Sequence, residues 1–234
     1  MWVNYYNESR LELDVELTTH CNARCPQCSR TNEFNVSERK EWLPLNQVTI
    51  DDFKKWFPKI KIKHFHFSGK YGDPGMCKDL KPIVEYIINS SKTTTISINT
   101  NGSMRNEEFW FDLCGIGRER LELIFDVDGI DQEMHSLYRQ KTSLNKILNN
   151  MDAYVEGGGK AQTFTVVFKH NEKYLKQIEQ LCKKHGSTYH MTVLNERWYE
   201  FKGKNLWKFI DNEGKTQQLD KYVKYQKVWT AKPI

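Results

Sequence analysis

Leu11-Glu12-Leu13-Asp14-Val15-Glu16-Leu17 alternates apolar with acidic residues and runs directly into Thr18-Thr19-His20-Cys21-Asn22-Ala23-Arg24-Cys25-Pro26-Gln27-Cys28. Period-two alternation predicts a strand with one polar face. The cysteines that follow are set among Asn22, Arg24 and Gln27, so they belong to a polar loop and not to a packed core. Working outward, further strand-like runs come at residues 60–67, 93–99, 121–127, 162–168 and 187–193. The first three of these end at Ser68-Gly69, Asn101-Gly102 and Asp128-Gly129. Helical spacing predicts helices over 49–56, 79–90, 106–114, 132–154 and 172–184, the last closed by His185-Gly186 with glycine as C-cap. Strands alternating with helices predict βαβ units and a parallel sheet.

Six such units fall short of the eight, in about 250 residues, that close a barrel. The expected fold is α/β: a partial (β/α)6 TIM-like barrel with a parallel sheet over residues 1–194, and a short C-terminal extension, residues 195–234, packing on or near it. Within that extension, residues 209–215 read as a hairpin turn. Function in such sheets gathers beyond the carboxyl ends of the strands, where the cysteine loop lies.

The 234 residues carry 35 Lys and Arg against 30 Asp and Glu, a net charge of +5, with 38% hydrophobic and 28% charged residues. That is an ordinary globular composition, long enough to bury a core without disulfide staples. No run of about 18 apolar residues is present, which excludes a membrane-spanning helix. Met1-Trp2-Val3-Asn4-Tyr5-Tyr6 has neither the basic nor the apolar region of a signal peptide. The expectation is a reducing cytoplasm, in which thiols serve metals or chemistry. Residues 202–232 interleave lysines with Trp207, Tyr222, Tyr225 and Trp229. They read either as a solvated amphipathic extension or as a basic surface whose rings stack on nucleic-acid bases.

Of the six cysteines, Cys21, Cys25 and Cys28 are the candidate metal ligands, and on residues alone two chemistries stay open. Structural zinc takes four ligands in paired spacing. No second pair follows here, so His20 or Cys77 would have to be the fourth ligand, in a small zinc-binding adaptor. Three thiolates on a four-iron cluster instead leave one iron free to bind substrate or cofactor. Cys114 and Cys182 fall late in helical patterns and read as small buried hydrophobes.

Cys21-x3-Cys25-x2-Cys28 after a strand resembles the radical S-adenosylmethionine (radical SAM) superfamily, whose CxxxCxxC loop holds a [4Fe–4S] cluster. Val15-Glu16-Leu17-Thr18-Thr19-His20-Cys21-Asn22 looks like the strand-to-loop entry of that superfamily. Ser68-Gly69-Lys70-Tyr71-Gly72-Asp73-Pro74 is similar to its "GGE" region, which holds the methionine amino group. Thr100-Asn101-Gly102 is similar to its Thr-Asn-Gly turn. Phe125-Asp126-Val127-Asp128-Gly129, with His135 and Arg139, resembles its S-x-D-G…H-x-x-x-R pattern. The likeness runs in order from residue 11 to about 194 and is that of short members without a C-terminal auxiliary-cluster domain. This chain departs at Gln27, where an aromatic or apolar residue is usual, at Lys70-Tyr71, where a second glycine is common, at Asp73 for Glu, and at Asp126 for Ser.

The resemblance implies an enzyme with two cofactors, a [4Fe–4S] cluster on Cys21, Cys25 and Cys28 and SAM. Reductive cleavage of SAM would give a 5′-deoxyadenosyl radical that abstracts hydrogen from an unidentified substrate. It implies cofactor contacts from Gly72, Asp73, Asn101, Asp126, Asp128 and Arg139. Asp73 and the carbonyls around Gly72 would meet the SAM amine. Asn101, Asp126 and Asp128 would bond the ribose or the amino-acid end, and Arg139 the carboxylate, unless it forms a surface ion pair on a helix. Cys77 is the candidate catalytic thiol. The implied partners are a flavodoxin- or ferredoxin-like electron donor and a peptide, protein or small-molecule substrate, with a nucleotide or RNA as the alternative. His64 and His66, two apart on one strand face, line the cavity or serve as satisfied core residues. Glu16 reads as a substrate contact or as hydrogen-bonded scaffold.

Overall fold

The computed structural model describes residues 12–32, 34–194 and 206–223. Leu11, the tail residues Tyr225 and Trp229, and the domain limits near 194 and at both termini lie outside the described residues. The chain opens with β1 (Glu12–Asp14), followed by α1 (Ile50–Trp56), β2 (His64–Phe67), α2 (Leu80–Ser90) and β3 (Thr95–Thr100). Next come α3 (Glu107–Gly117), β4 (Leu121–Asp126), α4 (Gln132–Ser136), α5 (Leu144–Glu156) and β5 (Lys160–Val167). α6 (Leu175–Lys184), β6 (Ser187–Leu194), β7 (Leu206–Ile210) and β8 (Thr216–Asp220) complete it. The first six strands form one sheet in sequence order. Each neighbouring pair is parallel, as in a partial TIM-like barrel.

Local sequence explains the elements. α1 starts at a capping box in which Thr49 and Asp52 satisfy each other's backbone N–H groups. α2 buries Leu80, Ile83, Val84 and Ile87, an apolar stripe at helical spacing. Along β4, Leu121, Leu123 and Phe125 are buried while Glu122, Ile124 and Asp126 are half-buried on the other face. The large core lies between the sheet's outer face and the helices. It is built around Phe53, Phe65 and Phe67 at one end and Trp110, Phe125 and Tyr154 at the other. The alternation ahead of the cysteine loop extends past β1: the Val15 N–H still donates to the His66 carbonyl at 2.9 Å, but Leu17 accepts from Val48 at 2.8 Å. The chain thus leaves the sheet edge to pair with residues 46–48 before the cysteines.

The helix expected over residues 132–154 is in fact two. α4 ends after one turn, Lys141 takes a left-handed φ of 60°, and Ser143 caps α5 by accepting from the Lys146 N–H. Gln132 bridges the break, donating to the Thr142 carbonyl at 3.0 Å and accepting from the Leu144 N–H at 2.8 Å. The interruption turns Arg139 away from solvent and toward the strand ends.

β7 and β8 make an antiparallel hairpin that docks beside the cysteine loop. Ile210 and residues 34–36 exchange backbone hydrogen bonds of 2.9 and 3.0 Å, and the Lys169 N–H donates to the Asp220 carbonyl at 3.1 Å. Trp207, Phe209 and Leu219 form a second core with Ala23, Cys25, Val36, Tyr138 and Phe168. Trp207 is 6% exposed and stacks against Phe34, and Tyr222 packs on the same core. These two tail rings are therefore packing residues and not free platforms for bases. Among the described residues no helix is long and apolar enough to cross a membrane.

Candidate functional site

The carboxyl ends of β1 to β5 surround a cavity of about 400 Å³ whose walls include Cys21, Cys25, Cys28, Gly72, Asp73, Asn101, Asp126 and Arg139. The cysteine loop is held there by its own backbone and by one arginine. The Cys28 N–H donates to the Cys25 carbonyl at 3.0 Å, Arg24 to Gln140 at 2.9 Å, and Asp73 to His20 at 2.8 Å. Arg30, 3% exposed, spreads its guanidinium over three carbonyls: Tyr71 at 3.2 Å, Ala23 at 3.4 Å and Thr19 at 3.2 Å. Gly72 is required at the crossing of the two loops, because a Cβ there would lie 2.0 Å from the Thr18 carbonyl oxygen.

Asp73 organises the second wall. Its Oδ1 accepts from the Gly75 N–H and the Thr100 hydroxyl, both at 2.9 Å. Its Oδ2 accepts from the Asn101 backbone and side-chain amides, both at 2.7 Å. Burial pushes the carboxyl pKa up, against the pull of those donors. The same Asn101 amide reaches the Cys21 sulfur at 3.7 Å, so the turn after β3 links the carboxylate to the thiol. Gly102 follows with φ of +65° and with Phe125 packed where a Cβ would stand. Glu16 proves to be scaffold: its carboxylate accepts from the Lys70 and Tyr71 N–H groups at 2.7 and 3.2 Å and from Ser68 at 3.1 Å.

On the third wall, Arg139 pairs with Asp126 at 2.9 Å and with fully buried Asp128, and points a third N–H at the Cys25 sulfur, 3.8 Å away. It is not the surface ion pair that a helical position would have given. Burial pulls the Arg139 pKa down, but Asp126, Asp128 and Cys25 outweigh it and leave the pKa above its ordinary value. Burial raises the Asp126 pKa to about 7, with Arg139 opposing and Asp128 adding to the rise. Burial likewise pushes the Cys25 thiol up to about 12, against Arg139.

Two candidates stand apart. Asp128 does not line the cavity; besides holding Arg139, it accepts from the Val166 N–H at 2.6 Å. Cys77 is fully buried in the large core, where its thiol donates to the Val48 carbonyl at 3.5 Å. The 3-10 turn Pro74–Met76 carries the chain away from the cavity before Cys77, and this removes the candidate hydrogen-donating thiol from the site. Gln27, though 4% exposed, is not in the cavity wall. Arg30 and the packing of the β7–β8 hairpin against the cysteine loop are the parts that sequence reasoning missed, although the hairpin turn itself and an extension packing on or near the barrel were expected. A loop arginine bound to carbonyls has no periodicity, and the hairpin's docking depends on contacts far apart in sequence.

The donor set fits an iron–sulfur cluster. A cluster gives each cysteine its own iron and fills the space between the sulfurs. Arg24, inside the loop and part-exposed, has Nε and Nη1 buried with no hydrogen-bond acceptor among the described residues. Buried donors without an acceptor beside three thiols suit a loop that takes on an anionic group.

Fold and site together define a class, the open parallel (β/α)6 barrel with a three-cysteine loop at the carboxyl ends of its strands. The chain belongs to the Radical SAM superfamily, which matches residues 15–182. Members of that family are enzymes that use a [4Fe–4S] cluster and SAM. The chain is 27% identical over 179 residues to the GTP 3′,8-cyclase of Tolumonas auensis, covering 74% of this chain and 49% of that one. With the GTP 3′,8-cyclase of Campylobacter curvus the identity is 24% over 169 residues, 72% of this chain and 50% of the other. It thus spans about half the length of the curated relatives it matches. In fold it is similar to Streptococcus suis SuiB bound to S-adenosylmethionine, with a TM-score of 0.62, 14% identity, and coverage of 79% of this chain and 40% of that one. It is likewise similar to anSMEcpe with bound AdoMet, with a TM-score of 0.58, 15% identity, and coverage of 77% and 50%.

Proposed function

We propose that this chain is a radical SAM enzyme that takes hydrogen from a small molecule or a peptide. The observation that carries this reading is the meeting of Cys21, Cys25 and Cys28 with Gly72, Asp73, Asn101, Asp126 and Arg139 around one cavity. When bound, the cluster and SAM supply a 5′-deoxyadenosyl radical through one-electron reductive cleavage of the sulfonium. Cys21, Cys25 and Cys28 would hold the cluster. Asp73 fixes Gly75, Thr100 and Asn101 in place, and the backbone around Gly72 with the Asn101 turn would bind the SAM amine and ribose. Asp126 and Asp128 hold Arg139 in the cavity wall, where it would bind the SAM carboxylate.

The substrate would lie against the polar inner face of the sheet, next to the cavity. There His66 bonds Asp14 at 2.5 Å and Asn99 at 3.0 Å, His64 bonds Thr95 and Ser97 at 2.8 Å each, and Gln162 donates to Glu122 at 2.7 Å. Carboxylates and imidazoles suit a hydrogen-bonding small molecule or peptide side chain better than a polyphosphate. A nucleotide is the second reading, supported by the relatives that act as GTP cyclases. An acidic flavodoxin- or ferredoxin-like protein is the proposed electron donor.

The test is anaerobic loading with iron and sulfide, followed by dithionite and SAM. The expected result is a brown protein with about four irons per chain that releases 5′-deoxyadenosine, and a Cys25→Ala variant that does neither. One zinc per colourless chain would overturn the reading. Deuterated peptides, polar metabolites and GTP, scored by label in the 5′-deoxyadenosine, separate the two substrate readings.

A further inference from the structure

A line of hydrogen-bonded side chains crosses the inner face of the sheet and ends at the cavity. Asp14 stands opposite His66 across β1 and β2, and His66 stands opposite Ser97 across β2 and β3. Asn99 therefore lies on the same face, one step nearer the carboxyl ends. His66 donates through Nδ1 to Asp14 Oδ1 at 2.5 Å and through Nε2 to Asn99 Oδ1 at 3.0 Å. The Asp14 and His66 side chains are 42% and 33% exposed, so water would satisfy both, and such a pair adds little stability. What the pairing fixes is orientation: the carboxylate sets the ring, and the ring sets the amide. His64 fixes no such group, because its partners are the hydroxyls of Thr95 and Ser97, which turn to give or to accept. Asn99 lines the cavity beside Ser68, Gly69 and Asn101. With its oxygen turned to His66, its Nδ2 has no hydrogen-bond partner among the described residues. An amide clamped at its oxygen presents two N–H donors at its other end, here where the cavity meets the inner face.

We propose that Asn99, locked by His66 and Asp14, is the specificity-determining contact of the substrate and donates to one of its carbonyl or carboxylate oxygens. This rests on the radical SAM reading given above and narrows its substrate to one that presents an oxygen acceptor, a peptide amide or a small carboxylic acid. Asp14 and His66 are positioning residues, since they act through the amide that they hold. A fixed donor rejects a molecule that offers no acceptor, because the N–H group is then left unpaired. An amine in the same place would set donor against donor.

The experiment gives the anaerobically reconstituted full chain dithionite, SAM and one of three perdeuterated probes: N-acetylalanine amide, propionate or propylamine. Label in the 5′-deoxyadenosine is scored against probe concentration. In wild type the two oxygen probes should reach half-maximal label at lower concentration than propylamine, and the better of the two tells a peptide from a small acid. Asn99→Asp, which replaces the N–H donors by an acceptor, should raise that concentration about tenfold for the oxygen probes and reverse the order in favour of propylamine. Asp14→Asn should act in the same direction by less. His66→Gln, whose side-chain amide still donates to Asn99, should lose less than His66→Leu. In the iron-free full chain the Asn99 side-chain amide signal in nuclear magnetic resonance should move with the oxygen probes and stay in place with propylamine. If Asn99→Asp loses iron, Asp14→Asn and the His66 pair carry the test. A wild-type preference for propylamine, an order unchanged in Asn99→Asp, or an Asn99 signal that no oxygen probe moves overturns the proposal. A wild-type chain that releases no 5′-deoxyadenosine instead overturns the radical SAM reading, and the two failures are thereby told apart.

Discussion

Arg30 shows what a single side chain contributes here and why the sequence conceals it. The three thiols were legible because sulfur ligands in a polar loop have few other uses. The arginine two positions after Cys28 carries no comparable mark, yet it ties the cysteine loop to itself and to the loop after β2. Hydrogen bonds from a charged donor are worth about 1.5–3 kcal/mol each and do not add fully. Arg30→Ala should therefore destabilise the iron-free chain by about 3 kcal/mol, read as the urea midpoint, and should lower iron per chain on reconstitution; Arg30→Lys should recover part of both. His135 gives a second test. It is fully buried, bonded to the Asp128 N–H at 3.2 Å and the Thr142 hydroxyl at 3.0 Å. Burial, reinforced by the charge of Arg139, holds its pKa down to about 3 from an ordinary value of 6.5. Between those values the unfolded chain takes up a proton that the folded chain refuses. Stability therefore falls as pH drops below about 6.5, by up to about 1.4 kcal/mol per unit. His170, lowered by burial to about 4, adds a slope of the same sign. His135→Gln should flatten the decline between about pH 6.5 and pH 4, measured by urea unfolding; an unchanged slope would show that His135 is not its source.

At the scale of elements, the strands were the legible part. Strand-like runs, alternating at residues 11–17 and 60–67 and β-branched at 93–99, located all six, and the turns Ser68-Gly69, Asn101-Gly102 and Asp128-Gly129 marked the ends where the site assembles. The helix break at residues 137–143 was illegible because its cause is tertiary. Gln132 bridges the gap and Arg139 is drawn inward by Asp126 and Asp128, neither of which alters local periodicity. The β7–β8 hairpin was read as an appendage, since a sequence does not disclose what an amphipathic hairpin covers. Its apolar face closes the second core beneath Cys25. Trp207→Ala should cost about 3–5 kcal/mol, as for other buried tryptophans, and should speed loss of cluster absorbance in air. Leu206→Ala, one residue earlier and 41% exposed, should change stability by less than about 0.5 kcal/mol. Thermal unfolding together with absorbance decay on the two variants checks both expectations, and equal effects would show that the hairpin is not packed through its Trp207 face.

For the whole molecule, the division of apolar residues into two cores has a consequence for cooperativity. The large core holds the sheet and helices together and contains none of Cys21, Cys25 and Cys28. The smaller one joins the hairpin to Tyr138 and Phe168, includes Cys25, and is flanked by Cys21 and Cys28. The cysteine loop and the docked hairpin thus share one core, while the barrel has its own. Local opening follows such units, and a group bound only by the folded form stabilises the unit that holds it. Iron removal by an anaerobic chelator should therefore speed amide exchange at least about tenfold across residues 206–220 and 34–36, with the amides of β2 to β4 unchanged. Arg30 decides how far the disturbance travels, because its bond to the Tyr71 carbonyl is a direct tie from the cysteine loop to the loop after β2. In Arg30→Ala the chelator effect should stay within the small core, whereas in wild type it should extend to residues 69–73. Mass spectrometry of exchanged peptides measures this; equal acceleration in β2 to β4 would mean that the two cores unfold as one and that the cysteine loop is part of the barrel's own stability.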